Sequence, residues 1–499
     1  MSPWLIILFV FGYFGFLMLI SWWTTRGGDS DQAFFTGNRQ SPWYIVAFGM
    51  IGTSLSGVTF ISVPGWVESS QFAYLQMVLG YLLGYLVVGL VLMPLYYRLK
   101  LTSIYTYLLD RFGMKSYKTG AWYFLISRII GASFRLYLVA IVFQFAIFDQ
   151  LDIDFPFSAT VLLTIVLIWV YSYKGGIKTI VWTDTLQTLF MLLAVGITIA
   201  VIGRNMDLNF SGLVSSIGES QYSQIFFVDD WRDGKFFLKQ FLTGAFITIA
   251  MTGLDQDMMQ KNLTCKNIGE AKKNMFWFSI TLVFVNLFFL SLGALLYMFA
   301  NSNGIALPEK ADYLYPILAV NGYLGPIVAI LFILGLIAAA YSSADSALTA
   351  LTTSFCVDIL GFERREIPNS QRTRKLVHLS LSAVLLIVIV VFEAINNDSV
   401  IKELFVAAGY TYGPLLGLFS FGMFTKYQVK DRMVPMICIL APIICYFIKD
   451  NSVEWFNGYQ VGFELLIFNG LLTFTGLYLV RKPYNASSIS DPAGSALER

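Results

Sequence analysis

The chain has 499 residues, of which 57% are hydrophobic and 13% are charged, with a formal net charge of +2. Soluble domains carry nearer a quarter charged residues, so this composition excludes an ordinary soluble protein and indicates an integral membrane protein. The four cysteines show no CxxC spacing, so neither a disulfide framework nor a metal cluster is predicted.

Apolar segments long enough to cross a bilayer, about 20 residues each, recur along almost the whole chain. They predict thirteen transmembrane helices with approximate edges at 3–24, 42–69, 73–97, 120–147, 155–173, 178–203, 237–256, 275–300, 325–360, 377–396, 403–425, 433–448 and 460–480. The first segment lacks a preceding basic region and a small-residue cleavage site. We therefore interpret it as a retained helix rather than a signal peptide.

Lysine and arginine predict the orientation of these helices. With the N-terminus outside, the cytoplasmic loops would hold 24 basic residues and the outer loops six. Lys261 is counted among the residues of the cytoplasmic loops. The positive-inside rule therefore predicts an outside N-terminus and an inside C-terminus. Since topology accounts for the basic residues, nothing in the charge pattern favours nucleic-acid binding.

Two apolar segments have sequences that disfavour a continuous helix. "GMIGTSLSGVTFISVPG" (49–65) and "LTGAFITIAMTGLDQD" (242–257) are rich in glycine and hydroxyl side chains, and they lie five predicted helices apart. Paired broken helices are typical of inverted-repeat transporters, whose unwound backbone binds ions and substrate at the midplane. The alternative, that the glycines merely let helices pack closely, stays open at this point.

The ninth segment contains "GLIAAAYSSADSALTALTTS" (335–354), in which Ser342, Asp345, Ser346 and Thr349 share one helical face. Hard cations prefer such oxygen ligands. Hydroxyls bonded back to the preceding helical turn are the alternative, and they would explain one or two of the serines. They would not explain the aspartate, which costs roughly 2.5–3.5 kcal/mol at mid-bilayer and usually marks a functional path.

Three further charged residues lie inside predicted helices. Asp184 in "GGIKTIVWTDTLQTLF" (175–190) is interpreted either as a cation ligand or as a carboxylate that snorkels or balances Lys178. Arg128 and Arg135 are seven residues apart on the fourth helix, and Arg135 should lie near mid-membrane. Such an arginine needs an internal carboxylate, Asp184 or Asp345, or an anionic ligand.

Five stretches in order make the chain resemble the sodium:solute symporter family. They are "FFTGNRQSPW" (34–43), "LLDRFG" (108–113), "GGIKTIVWTDTLQ" (175–187), "GLDQDMMQKNL" (253–263), and "AAAYSSADSALTA" (338–350) with "GYTYGPLLGLF" (409–419).

The resemblance implies one transmembrane domain over 1–499 with the five-plus-five inverted repeat first seen in a bacterial leucine transporter. Its parts would be an extra helix at 3–24, repeats at 42–203 and 237–425, two final helices at 433–480 and a cytoplasmic tail at 481–499.

The resemblance also implies the site residues. A principal sodium ion would bind the carbonyls of Gly52, Leu55 and Ala339 and the hydroxyls of Ser342 and Ser343. A second ion, found in some members, would use Asp184, Ser342, Asp345 and Ser346. The substrate site would be lined by Ser56, Thr59, Gln76, Arg135, Thr248 and Met251.

The function implied is sodium-coupled symport of a small organic solute by alternating access, in a multi-pass cell membrane protein such as one of the bacterial inner membrane. Thr248 and Met251 depart from the asparagine and aromatic gate of sugar-carrying members, and an arginine in the fourth helix is similar to members that carry acidic solutes, including a sialic acid carrier. We therefore expect an organic anion such as a sialic-acid-like carboxylate, with a sugar or other neutral solute as the alternative.

A channel or a membrane-embedded enzyme is a more distant interpretation. No HExxH, GxSxG or phosphate-cradling motif is present, which argues against an enzyme. The expected partners are sodium, the solute and the lipid bilayer, without nucleic acid or an obligatory protein partner.

Overall fold

The structure is a computed structural model that describes residues 3–24, 41–99, 103–172, 177–362, 364, 368–395 and 399–482. The predicted tail beyond Lys482 lies outside the described residues. So do the side chains of Ser342 and Asp345, although their backbone is part of a helix.

The described residues form twenty α-helices and one pair of short antiparallel strands. The helices are α1 Pro3–Thr24, α2 Trp43–Ser70, α3 Ala73–Val87, α4 Met93–Leu99, α5 Thr106–Arg111, α6 Met114–Phe143, α7 Phe157–Ser172, α8 Ile177–Asn205, α9 Phe210–Glu219, α10 Phe237–Thr248, α11 Gln256–Asn262, α12 Ile268–Ser302, α13 Leu314–Val320, α14 Pro326–Ser354, α15 Ser370–Ile395, α16 Val400–Thr411, α17 Gly413–Phe424, α18 Val434–Asp450, α19 Ser452–Trp455 and α20 Leu465–Leu479. The strands are β1 Gln428–Val429 and β2 Arg481–Lys482. Wider π-type turns continue α3, α6, α10 and α14 at Val88–Leu92, Gln144–Phe148, Ile249–Gly253 and Phe355–Leu360.

Each of the thirteen predicted segments is helical over most of its length. By length and composition, seven helices within the described ranges can cross a membrane, or up to nine when each of two bent pairs counts as one span. Thirteen spans and the orientation of the termini stay predictions.

Both segments predicted to be interrupted are broken. Within α2, Ser56 has φ 37° and ψ 178°, which no helical residue adopts. The second break lies between the end of the π-type turn at Gly253 and the start of α11, where the chain bends by 72°. A third bend, of 44° between α16 and α17, was not predicted and lies just before Pro414, whose ring removes a backbone donor.

Helix α2 lies at the centre of the bundle and packs against α8, α12 and α14. Helices α3 and α10 cross at very short distance because both present glycine. A Cβ on Gly80 would collide with the carbonyl of Phe241, and one on Gly244 with the carbonyl of Met77. The sequence left open whether glycine serves close packing or helix breaks. In this part of the bundle it serves close packing between α3 and α10, and the chain also bends after α10.

Candidate substrate and sodium sites

The break in α2 lies in the middle of the bundle. A non-glycine residue at positive φ is uncommon, and Ser56 adopts this conformation at a buried position. Carbonyls before such a break lack their usual helical donors. Leu55 precedes the break directly and Gly52 lies one turn earlier, so both proposed carbonyl ligands belong to this part of α2.

Helix α14, which carries the other proposed sodium ligands, packs directly on α2. The Ser343 side chain is buried and donates a hydrogen bond to the Ala339 carbonyl at 3.2 Å. Back-bonding to the preceding turn therefore occurs at Ser343. Ser346 behaves differently, because its hydroxyl donates to Oδ1 of Asp257 on another helix.

A cavity of about 80 Å³ lies beside the break, room for several water molecules at roughly 10–15 Å³ each. Five of the six predicted substrate residues line it: Ser56, Thr59, Arg135, Thr248 and Met251. Aromatic side chains, among them Tyr74, Tyr81, Tyr85 and Phe405, provide much of the remaining wall.

Gln76, the sixth predicted residue, is not brought to the cavity. Its side chain is fully buried, with Nε2 donating to the carbonyl of Lys235 at 2.9 Å and Oε1 accepting from the amide of Phe227 at 3.2 Å. Gln76 therefore ties α3 to the segment that precedes α10, a role that the sequence did not reveal.

Arg135 is the charged residue of the cavity whose bonding is least complete. It is 7% exposed, and its Nε and Nη1 have no hydrogen-bond partner within the described ranges. Among the described residues no ion pair joins it to Asp184, and the side chain of Asp345, the other suggested carboxylate, lies outside them. Asn286 on α12 also lines the cavity; its Nδ2 donates to the Leu282 carbonyl at 2.8 Å, while its Oδ1 has no partner among the described residues. The cavity thus offers both a free donor pair and a free acceptor.

Arg128, by contrast, is paired with two carboxylates that sequence reasoning did not assign. Its Nη1 lies 3.8 Å from Oδ2 of Asp255, and its Nη2 contacts Oδ2 of Asp257. Asp255 also caps α11 through the amides of Asp257 and Met258, and it accepts a hydrogen bond of 2.7 Å from the Tyr412 hydroxyl. Both acids lie in the stretch 253–263 that carries the family resemblance. Their presence in that motif was the sequence feature that could have identified them as functional residues.

The position of Lys261 differs from the prediction that it lies in a cytoplasmic loop. Counted as a loop residue on the sequence, it is only 1% exposed within α11. Its Nζ lies 2.7 Å from Oδ2 of Asp184 and 2.5 Å from Oγ1 of Thr53, and Thr53 donates to the same carboxylate at 2.9 Å. Asp184 is thus paired with Lys261, whereas the side chain of Lys178, the cation suggested on the sequence, lies outside the described residues.

A broken helix at the centre of the bundle packs on a serine-bearing helix beside a cavity. This arrangement is typical of membrane transporters whose broken helices form the binding sites. A solved structure described as the substrate-bound outward-open state of a Na⁺-coupled sialic acid symporter shares this fold, with a TM-score of 0.78 and 20% identity, over 96% of this chain and 99% of that one. A nucleobase-cation-symport-1 family transporter superposes with a TM-score of 0.56 over 90% of this chain and 94% of that one, at 12% identity.

The family model described as "Sodium:solute symporter family" matches residues 34–431. The chain belongs to the sodium:solute symporter family, and it is accordingly a sodium-coupled transporter rather than an enzyme.

Two relatives are bacterial sodium/sialic acid symporters. NanT of Aliivibrio fischeri is 26% identical over 93% of this chain and 92% of its own length. SiaT of Proteus mirabilis is 24% identical over 87% and 88%. The human sodium/iodide cotransporter is 25% identical over 83% of this chain and 65% of its own length.

Proposed function

We propose that this protein carries a small organic anion across the membrane together with sodium, and that Arg135 binds the carboxylate of that anion. The observation that carries the proposal is the buried guanidinium of Arg135, which lines the cavity with two nitrogens unpaired among the described residues. An uncompensated buried charge is costly, so an anionic ligand would be strongly favoured there. The names of the relatives, which include sialic acid and iodide transporters, support an anion.

A neutral sugar would leave the Arg135 charge uncompensated. The unpaired Oδ1 of Asn286 supports a solute that also carries a hydrogen-bond donor such as a hydroxyl group. A carboxylate with hydroxyl or amide groups, as in sialic acid, would satisfy both side chains. We therefore favour this substrate class over a sugar.

The principal sodium ion is proposed to bind between the two packed helices α2 and α14, at the carbonyls of Gly52, Leu55 and Ala339 and the hydroxyls of Ser342 and Ser343. Support comes from the break next to Leu55 and from the packing of α14 on α2. A second ion is proposed at Asp184, Ser342, Asp345 and Ser346. It would share the Asp184 carboxylate with Lys261, and it would bind the lone pairs of the Ser346 hydroxyl, whose hydrogen is donated to Asp257.

The transport cycle follows from this placement. Sodium joins a helix of the first repeat to a helix of the second, beside the substrate cavity, and the loaded protein then opens to the other side of the membrane. We further propose thirteen spans, with the N-terminus outside and the C-terminus in the cytoplasm, in a bacterial inner membrane.

Uptake into proteoliposomes tests the proposal. Radiolabelled sialic acid, lactate and glucose are offered with an inward gradient of sodium or of choline, and we expect accumulation of an acid only with sodium. Arg135→Gln should lower the apparent affinity for that acid by at least about 30-fold, since removing one partner of a buried charge pair costs about 2–5 kcal/mol. Arg204→Gln is the matched control, because Arg204 is exposed at the end of α8. Glucose accumulation, or full acid uptake by Arg135→Gln, would contradict the proposal.

A further inference from the structure

Asp257 is a buried carboxylate that neither proposed site uses. It is 1% exposed and lies in the first turn of α11, the helix that follows the second break. A buried charge needs compensating partners, and the identity of those partners shows which elements the residue holds together.

The two oxygens of Asp257 contact different helices. Oδ2 contacts Nη2 of Arg128 on α6, and Oδ1 accepts a hydrogen bond from the Ser346 hydroxyl on α14. Ser346 follows Ser343, a proposed sodium ligand, by three residues, which is close to one helical turn. Arg128 lines the same cavity as Arg135. One carboxylate therefore connects the proposed sodium helix to an arginine of the substrate cavity.

We propose that Asp257 couples sodium binding to the substrate cavity. An ion bound between α2 and α14 would fix the position of α14 and of its Ser346 hydroxyl. Because that hydroxyl donates to Asp257, the position of the Asp257 carboxylate would follow. Asp257 in turn contacts the Arg128 guanidinium and would set its position. Asp257 is thus a positioning residue, which contacts neither ion nor solute. The inference rests on the proposed function, because it requires a sodium ion at α14.

Asp255 provides a matched control. It also pairs with Arg128, at 3.8 Å, but its other side-chain partners are the Tyr412 hydroxyl and the amides of α11, and within the described ranges it has no hydrogen bond to α14. Asparagine caps helices about as well as aspartate, so Asp255→Asn should preserve the start of α11.

The test follows the cavity directly and needs no identified solute. Thr248, which lines the cavity, is replaced by cysteine, and the rate of its modification by a small methanethiosulfonate reagent is measured in sodium and in choline. The four native cysteines are buried. The measurement is then repeated with Asp257→Asn, Ser346→Ala, both together, and Asp255→Asn.

We expect sodium to change the modification rate about fivefold or more with Asp257 and Ser346 intact, as for an ordinary coupling between two sites. The sodium effect should fall below twofold in Asp257→Asn and in Ser346→Ala, with no further loss in the double variant, because both act through one contact. Asp255→Asn should keep the effect.

Two outcomes overturn the inference in distinguishable ways. A sodium effect that persists in both Asp257→Asn and Ser346→Ala removes the coupling role and leaves the proposed function intact. The absence of any sodium effect in the Thr248→Cys protein removes the proposed sodium site and the inference with it. Ser346 is also a proposed ligand of the second ion, so Ser346→Ala by itself does not separate the two roles. If Asp257→Asn fails to fold, Asp257→Glu is the second variant, because it keeps the charge beside Arg128 while it displaces the oxygen that accepts from Ser346. A sodium effect that persists in Asp257→Glu then overturns the coupling role.

Discussion

Burial decides what each charged side chain of this bundle can do. Arg128 contacts two carboxylates and Lys261 contacts one, so the desolvation cost of both cations is compensated inside the protein. Arg135 has no such carboxylate among the described residues and lies on the cavity. Of these three cations it gains most from an anionic ligand.

The Lys261–Asp184 pair gives a prediction at this scale. Lys261→Met should leave the Asp184 carboxylate buried without its cation, and breaking such a pair costs about 3–5 kcal/mol. We expect a markedly lower melting temperature of the detergent-purified protein. Lys261→Met combined with Asp184→Asn should recover much of the loss, because no charge is then left uncompensated. If the double variant is as unstable as Lys261→Met alone, then Lys261 does not stabilise the protein through its ion pair with Asp184.

At the scale of elements, breaks and close crossings place the site. The non-helical Ser56 breaks α2 beside the cavity, whereas the bend after α10 directs α11 and its charged residues towards α2, α8 and α14. The crossing of α3 and α10 fixes the helix that carries Thr248 into the cavity wall. Small residues allow this approach, as at many helix contacts in membranes.

Gly244→Ala tests the crossing. The added methyl group would meet the Met77 carbonyl and must push α3 and α10 apart, at a cost of about 1–3 kcal/mol for overpacking. We expect a lower melting temperature together with reduced uptake, since Thr248 moves with α10. The matched control is Gly196→Ala on α8, where a Cβ meets nothing within 4 Å. Equal behaviour of the two variants would show that the crossing tolerates a side chain.

At the scale of the whole molecule, the proposed sodium site lies between helices of the two predicted repeats. Any ligand that binds only the folded state stabilises it, by about 2.7 kcal/mol at 100 times its dissociation constant. The ion also supplies the driving force, since one charge moving down 100 mV yields about 2.3 kcal/mol. With a monoanion, one sodium would make transport electroneutral, so use of the voltage would require at least two ions.

Sodium removal therefore gives a prediction for the intact protein. The melting temperature should be higher in sodium chloride than in potassium chloride at the same ionic strength. Ser343→Ala should abolish most of this difference, because it removes a proposed ligand. The control Ser215→Ala alters an exposed serine on α9 and should keep the difference. A sodium effect that survives in Ser343→Ala would place the ion elsewhere.

Local sequence patterns determined much of this protein. Apolar length predicted where the helices lie, and glycine with hydroxyl residues predicted the breaks at 49–65 and 242–257, because helix formation depends on neighbouring residues. Arg135 stood out on the sequence because it lies in an apolar segment. The free-energy cost of placing an arginine in a membrane is high whatever its neighbours in the sequence are. Five of the six residues expected around the substrate indeed line one cavity.

Tertiary structure alone decided which charges pair and which stay free. Lys261 meets a carboxylate 77 residues away, and Arg128 meets one 129 residues away. The same packing turns Gln76 away from the cavity and places Asp257 between α6 and α14. Helical periodicity states which face of a helix a residue occupies. It does not state which helix that face will meet, and an ion pair depends on that meeting.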